Sequence, residues 1–99
     1  MGFLKPMIKC KVEMWGLPRE VSGLPEVEVS LKDGAGLPEV IAALKRKVPK
    51  LEGAVICSGE DRLEDTCIFN LDGQFLTEDE KIRLKNGDCL RLLTLATGG

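Results

Sequence analysis

With 99 residues, the chain is the size of one small domain and leaves no room for a second core. It is 43% hydrophobic and 30% charged, with 14 Lys and Arg against 16 Asp and Glu, a globular balance that rules out a disordered or fibrous chain. The net charge of -2 and the absence of a long basic run argue against binding by phosphate neutralisation, so no nucleic-acid partner is expected.

Histidine is absent, which excludes Ser-His-Asp and Cys-His catalysis and makes self-contained hydrolysis an unexpected activity. No apolar stretch approaches the roughly 20 residues that span a bilayer, and the start lacks a hydrophobic signal core. A cytoplasmic protein without a membrane partner is expected. Met1-Gly2 does not indicate myristoylation, because Pro6 stands where that motif needs Ser or Thr.

No two of Cys10, Cys57, Cys67 and Cys89 form a C-x-x-C pair, so no metal centre is expected and free thiols are. Cys10 and Cys67 fall at apolar strand positions and read as small buried hydrophobes. Cys57 lies in a polar stretch and could be reactive, but nothing nearby in sequence except Arg62 would make it a nucleophile at neutral pH, and that is too weak a feature to use.

In chain order, Ile8, Cys10, Val12 and Met14 alternate with Lys9, Lys11 and Glu13, which predicts a half-buried strand over 7–15. Residues 16–25, GLPREVSGLP, carry two Gly and two Pro and read as a loose connection. Val27, Val29 and Leu31 alternate with polar neighbours in a second strand, completing a hairpin. After the Asp33–Gly36 break the period changes. Leu37, Val40, Ile41, Leu44 and Val48 make one helical stripe, with Pro38 and Glu39 suited to its first turn and Lys45, Arg46 and Lys47 to its last. Pro49 stops it near Val48.

Residues 50–65 show no clean period and read mostly as loop, with Val55-Ile56-Cys57 as a candidate short strand. Cys67, Phe69 and Leu71 predict a third strand, Asp72-Gly73 a tight turn, and Gln74–Leu76 a return strand. Residues 77–88 read as a polar connection that ends in the Asn86-Gly87-Asp88 turn. The last strand covers Cys89–Leu95, with Leu90 and Leu92 on one face and Cys89, Arg91, Leu93 and Leu95 on the other.

A single helical stripe covers one sheet face only, so this order predicts an α+β fold: a mixed sheet of four to five strands with one main helix on one face. The first and last strands run parallel in its centre, which is the beta-grasp arrangement. Ile8, Val12, Leu44, Phe69, Leu90 and Leu92 are the expected core, each contributing roughly 1.5–3 kcal/mol when buried. Residues 1–95 form the domain and 96–99 a tail. The uncovered sheet face would carry an apolar patch of Ile68, Leu93 and Leu95. Its two readings are a docking face and a surface covered by the chain's own 50–65 segment. Lys9, Lys11 and Arg91 border it, where charges commonly serve solubility alone.

The tail, Ala96-Thr97-Gly98-Gly99, follows a strong strand and offers a free carboxylate as its reactive group. Small residues without bulky side chains can thread a narrow tunnel. Three or four extended residues reach roughly 10–14 Å, enough to enter another protein's active site. A carboxylate needs activation before it reacts as an acyl donor, and the chain has no Walker loop or glycine-rich phosphate fingerprint. Activation would come from a partner, and this protein would be its substrate. An ordinary frayed terminus is the plainer reading of the tail alone.

Several motifs then line up. Pro18–Gly23, PREVSG, looks like an L-R-E-x-x-G element after a first strand. Val48-Pro49-Lys50-Leu51 is similar to a helix end in x-P-x-L, and Phe69–Gly73 to a strand followed by an N-G turn with an insertion. Leu84–Asp88 matches an L-x-x-G-D turn, and Gly98-Gly99 a terminal pair. In this order and spacing, over most of the chain from the first strand onward, they resemble the MoaD/ThiS family of ubiquitin-like sulfur carriers. Two features depart from the family pattern. Thr94-Leu95 stands where MoaD members usually carry Pro-Pro, and ThiS members are generally shorter.

The resemblance implies that an E1-like enzyme adenylates Gly99 with ATP and that sulfur then replaces AMP to give a thiocarboxylate. Gly98 would supply the slenderness for access. Similarity to MoaD implies the small subunit of a molybdopterin synthase, whose larger MoaE-like subunit accepts the sulfur in molybdenum or tungsten cofactor synthesis. The protein would be a carrier, monomeric when free and without a bound cofactor, the ATP being used by the partner. Ile68, Leu93, Leu95, Ala96 and Thr97 are the expected partner contacts. The alternatives are a ThiS-like carrier for thiamine thiazole synthesis, a modifier conjugated to lysines through Gly99, and a beta-grasp binding module indifferent to its tail.

Overall fold

The computed structural model describes residues 7–77 and 81–95. Strand β1 (Met7–Met14) pairs antiparallel with β2 (Glu26–Lys32), placing Cys10 opposite Val29 and Val12 opposite Val27. Strand β3 (Cys67–Leu71) turns back into β4 (Gln74–Leu76), and β5 (Cys89–Thr94) enters between β1 and β3. The sheet order is β2-β1-β5-β3-β4, with β1 and β5 parallel in the middle as expected. The two-residue link between β3 and β4 has positive φ at both Asp72 (53°) and Gly73 (84°), the twist that lets antiparallel strands join directly.

Between β1 and β2 lies a short helix, α1 (Leu17–Ser22), where a loose connection was expected. The residues that read as punctuation are its boundaries. Gly16 (φ 65°) and Gly23 (φ 71°) turn the chain at either end, Pro18 sits in the first turn, and the Gly23 N–H closes on the Arg19 carbonyl at 2.8 Å. Six residues are too few to display a helical period. Their apolar members, Leu17 and Val21, pack against the core.

The long helix α2 (Leu37–Lys47) follows its predicted stripe, burying Leu37, Val40, Ile41 and Leu44. The Glu39 carboxylate accepts the Gly36 N–H at 3.2 Å, and Val48 caps the other end. Beyond it, residues 50–65 are not an open loop. Pro49–Leu51 form a 3-10 turn, and Val55–Cys57 make no strand, since Ile56 contributes only isolated bridges to Glu52 and Leu63. Leu51, Val55, Ile56 and Leu63 are buried in the same core as α2. Packing against irregular backbone leaves no period in the sequence. Lys45 ties the segment down through its ammonium, 3.0 Å from Asp61 and 3.1 Å from the Glu60 carbonyl.

All six expected core residues are buried, from Val12, Leu44, Leu90 and Leu92 at 0% exposure to Ile8 at 4%. The connection read as polar contributes one more. Leu84 is fully buried, and its N–H donates to the Ala35 carbonyl at 2.9 Å. Leu84→Ala should lower stability by about 2–4 kcal/mol, read as a lower denaturant midpoint with an unchanged slope.

The four cysteines are free thiols. Cys10 and Cys67 are buried as expected, and burial pushes both thiols up. Cys57 is buried as well, its sulfur lying 3.6 Å from the Leu63 carbonyl oxygen, 3.4 Å from Glu64 Oε1 and 3.4 Å from Arg62 Nε. Among the described residues there is no cluster of three metal-ligating side chains, and no helix is long and apolar enough to cross a membrane.

Candidate docking face and the root of the tail

The two sheet faces differ because strand parity sends every second residue to each. On the helix side lie Ile8, Val12, Met14, Val27, Val29, Phe69, Leu90 and Leu92, all buried. Among the described residues no helix covers the opposite face, although Asn70 on it is buried. Register places Phe75, Asn70, Arg91, Glu13 and Glu26 in one row across all five strands. The next row, toward the end of β5, sets Ile68 directly opposite Leu93.

Trp15 extends that second row. It follows the Met14 to Leu92 rung by one place, its N–H donates to the Leu92 carbonyl at 2.9 Å, and its indole N–H reaches Glu13 Oε1 at 3.3 Å. Trp15, Leu93 and Ile68 therefore form an apolar strip, with Leu95 beyond it and Phe75 on the neighbouring row. Trp15 is 50% exposed, Phe75 54% and Leu95 39%, while Ile68 and Leu93 are half-buried. Of residues 50–65, Leu51, Val55, Ile56 and Leu63 send their side chains into the helix-side core, while 61–65 line a cavity beside Ile68. The expected patch of Ile68, Leu93 and Leu95 is thus brought together, although β5 ends at Thr94 and Leu95 lies just past it. Sequence reasoning missed Trp15 and Phe75. Strand parity marked both: Trp15 continues the Lys9, Lys11, Glu13 series, and Phe75 shares its row with Asn70.

The strip has a charged flank. Toward β2, the face carries the ion pairs Lys11–Glu26 at 3.1 Å and Lys9–Glu28 at 4.0 Å, and Arg91 pairs with Glu13 at 3.4 Å. Exposed pairs of this kind add little stability. Their effect is to leave the β1 and β2 part of the face polar and self-neutralised, with the apolar side chains gathered in the row of Ile68 and Leu93 beyond Asn70 and Arg91. Glu13 sits at the seam. The Trp15 indole N–H, then the Cys89 thiol at 3.5 Å, then the Arg91 guanidinium hold its carboxyl below the usual glutamate range, against a smaller opposing effect of burial. The same contact works in reverse on Cys89, whose thiol burial and Glu13 push upward.

A carboxyl whose folded pKa is depressed favours the folded arrangement above its unfolded pKa and loses that contribution as pH falls through the folded value. Trp15 is the chain's single tryptophan, so its fluorescence reports this site alone. Its emission should shift on acidification with a midpoint below about 4.3, the value of a free glutamate, and Glu13→Gln should remove the transition.

β5 ends where the strip ends. The Leu95 N–H donates to the Thr66 carbonyl at 2.7 Å, the last backbone attachment among the described residues. The expectations for Ala96, Thr97, Gly98 and Gly99 lie outside the described residues.

A five-stranded mixed sheet with a parallel central pair, one main helix on one face and an apolar strip on the other defines a ubiquitin-like beta-grasp protein. The chain belongs to the ThiS family, whose model matches residues 12–99. It is 28% identical over 92 residues to the molybdopterin synthase sulfur carrier subunit of Chlamydomonas reinhardtii, covering 93% of this chain and all of that one. Among solved structures, it is similar to SAMP1 of Haloferax volcanii, with TM-score 0.77, 23% identity and coverage of 92% of this chain and 99% of that one. A putative molybdopterin converting factor subunit 1 from Pyrococcus furiosus superimposes with TM-score 0.69 and 26% identity, covering 90% and 99%. These relatives are small carrier or modifier proteins, and the resemblance seen in the motifs is therefore correct at the level of family and fold.

Proposed function

We propose that the protein is a cytoplasmic sulfur carrier whose Gly99 carboxylate is adenylated by an E1-like enzyme and converted to a thiocarboxylate. The sulfur would pass to the larger, MoaE-like subunit of a molybdopterin synthase. The observation that carries this reading is the join of two features: a family match that runs through to Gly99, and an apolar strip that ends where the chain departs toward that glycine. The strip gives a partner a surface to hold. The tail beyond Leu95 is four residues, a reach of roughly 14 Å, so a partner docked on the strip can have the carboxylate in its active site.

Each step needs different groups. Adenylation joins the Gly99 carboxylate to AMP and releases pyrophosphate, and all ATP-binding groups belong to the partner. A sulfur nucleophile then attacks the acyl carbon and AMP leaves. This chain supplies the acyl carbon and a main chain thin enough to reach it, and Ile68, Leu93, Leu95 and Trp15 supply affinity. Incubation with ATP, a sulfide source and an E1-like enzyme should add about 16 Da to the intact protein, one sulfur replacing one oxygen.

The structural neighbours titled small archaeal modifier proteins favour a second reading, conjugation of Gly99 to lysines. High-mass adducts that form with ATP in a lysate and disappear without Gly99 would support it. Thiazole synthesis differs only in the acceptor of the sulfur.

A further inference from the structure

We infer that Thr94 is a positioning residue: through its side-chain hydroxyl it latches the end of β5 to the start of α1 and so fixes the point from which the C-terminal tail departs. The inference deepens the carrier reading and rests on it for its catalytic consequence.

The parallel ladder between β1 and β5 has its last described rung at the Trp15 N–H and the Leu92 carbonyl, 2.9 Å. By ladder geometry the next donor is the Leu17 N–H, two residues on, and the next acceptor would be the Thr94 carbonyl. That rung is replaced. Gly16 bends the chain away with φ 65° and ψ -130°, and the Leu17 N–H is taken instead by Thr94 Oγ1 at 2.7 Å, shorter than the backbone rung before it. The hydroxyl thereby performs the capping that Gly16, with no side chain, cannot perform for α1. Pro18 has no N–H, so Leu17 is the first donor of the helix that needs a partner.

The fit around the hydroxyl is tight. A Cβ on Gly16 would lie 2.5 Å from Thr94 Oγ1 and 3.3 Å from Thr94 Cβ, and a side chain there would also be strained by the positive φ. Gly16 is thus required twice, for the bend and for the approach of Thr94. On the opposite side of the strand, the Leu95 N–H is held by the Thr66 carbonyl at 2.7 Å. The end of β5 is gripped at two consecutive residues, by the start of α1 through the Thr94 side chain and by the β3 side through the Leu95 main chain. Without the Thr94 grip, Leu95 would keep a single attachment, and the tail would start from a hinge instead of a fixed root.

A wandering root adds conformations that must be lost each time the tail enters a partner's site. Docking through the apolar strip does not involve the hydroxyl. The loss should therefore fall on the step after docking. Thr94→Val keeps the β-branched shape and removes the acceptor, whereas Thr94→Ser keeps the acceptor. With the full-length protein and an E1-like enzyme, Thr94→Val should lower kcat for thiocarboxylate formation about tenfold with KM within about twofold, and Thr94→Ser should regain most of it. A kcat unchanged by Thr94→Val, or one that Thr94→Ser fails to restore, overturns the inference. Backbone 15N relaxation on the same three proteins needs no enzyme and separates this failure from failure of the carrier reading. The latch predicts increased fast motion at Leu95 and Ala96 in Thr94→Val alone. Equal relaxation in all three overturns it whether or not the wild-type protein is activated.

Discussion

On the proposed carrier function, removal of Gly98 and Gly99 should abolish ATP-dependent activation of the protein and leave its cooperative unfolding in place. The truncated chain ends in the Thr97 carboxylate, about 7 Å short of the original one by extended-chain geometry. A misplacement of about 1 Å can cost 10²-fold in rate, so a deficit several times larger puts the acyl carbon out of reach altogether. The new terminal residue, Thr97, is also β-branched, a stiff side chain at the reacting end where Gly99 has none. The buried core and the five paired strands lie within residues 7–95, so denaturant midpoints of the two proteins should agree. ATP–pyrophosphate exchange with an E1-like enzyme measures the first effect and urea denaturation the second. A truncated protein that still supports its pathway in cells would return the tail to an ordinary terminus and leave a beta-grasp binding module.

Leu93→Glu should produce the second large effect, loss of docking to the proposed partner without loss of fold. Leu93 lies opposite Ile68 and next to Trp15 in the open face, half-exposed, so a glutamate there keeps access to water in the free protein. Once a partner covers the strip, that carboxylate is buried against apolar side chains without a counter-charge. Arg91 is already engaged by Glu13 at 3.4 Å. A penalty of about 3 kcal/mol or more follows, which weakens binding by a factor on the order of 100. The affinity of the E1-like enzyme for the variant measures it, alongside a melting temperature within a few degrees of the wild type. Undiminished affinity, or an unfolded variant, would remove Leu93 from the docking face.

Strand parity makes most of this face legible in the sequence. The alternation of Ile8, Cys10, Val12 and Met14 with Lys9, Lys11 and Glu13 sets the inside and outside of β1, and Leu90 and Leu92 do the same for β5. Once those strands are central, Ile68 and Leu93 must share the uncovered side. Parity does not reach structure built from single contacts. Helix α1 is specified by Gly16, Pro18, Gly23 and a hydroxyl 77 residues away, and no local window contains that last partner. Leu84 and Ile82 are the two apolar side chains of a polar run; Leu84 is buried, and its N–H ties the run to the Ala35 carbonyl. Residues 50–65 bury Leu51, Val55, Ile56 and Leu63 on an irregular path, where burial and periodicity are uncoupled. The family is legible for a different reason: short motifs spread along the chain keep a common order and spacing, and the family match spans residues 12–99.

The most direct test of the carrier chemistry is to locate the added sulfur. Trypsin cleaves after Arg91 and releases Leu92–Gly99, a peptide free of both cysteine and methionine. Oxidation of sulfur-containing side chains adds nearly the same mass as the exchange of oxygen for sulfur, and this peptide is blind to it. After incubation with ATP, a sulfide source and an E1-like enzyme, fragmentation should place a gain of about 16 Da on Gly99 alone. An unmodified Leu92–Gly99 peptide, from an enzyme shown to activate another carrier, would contradict the account.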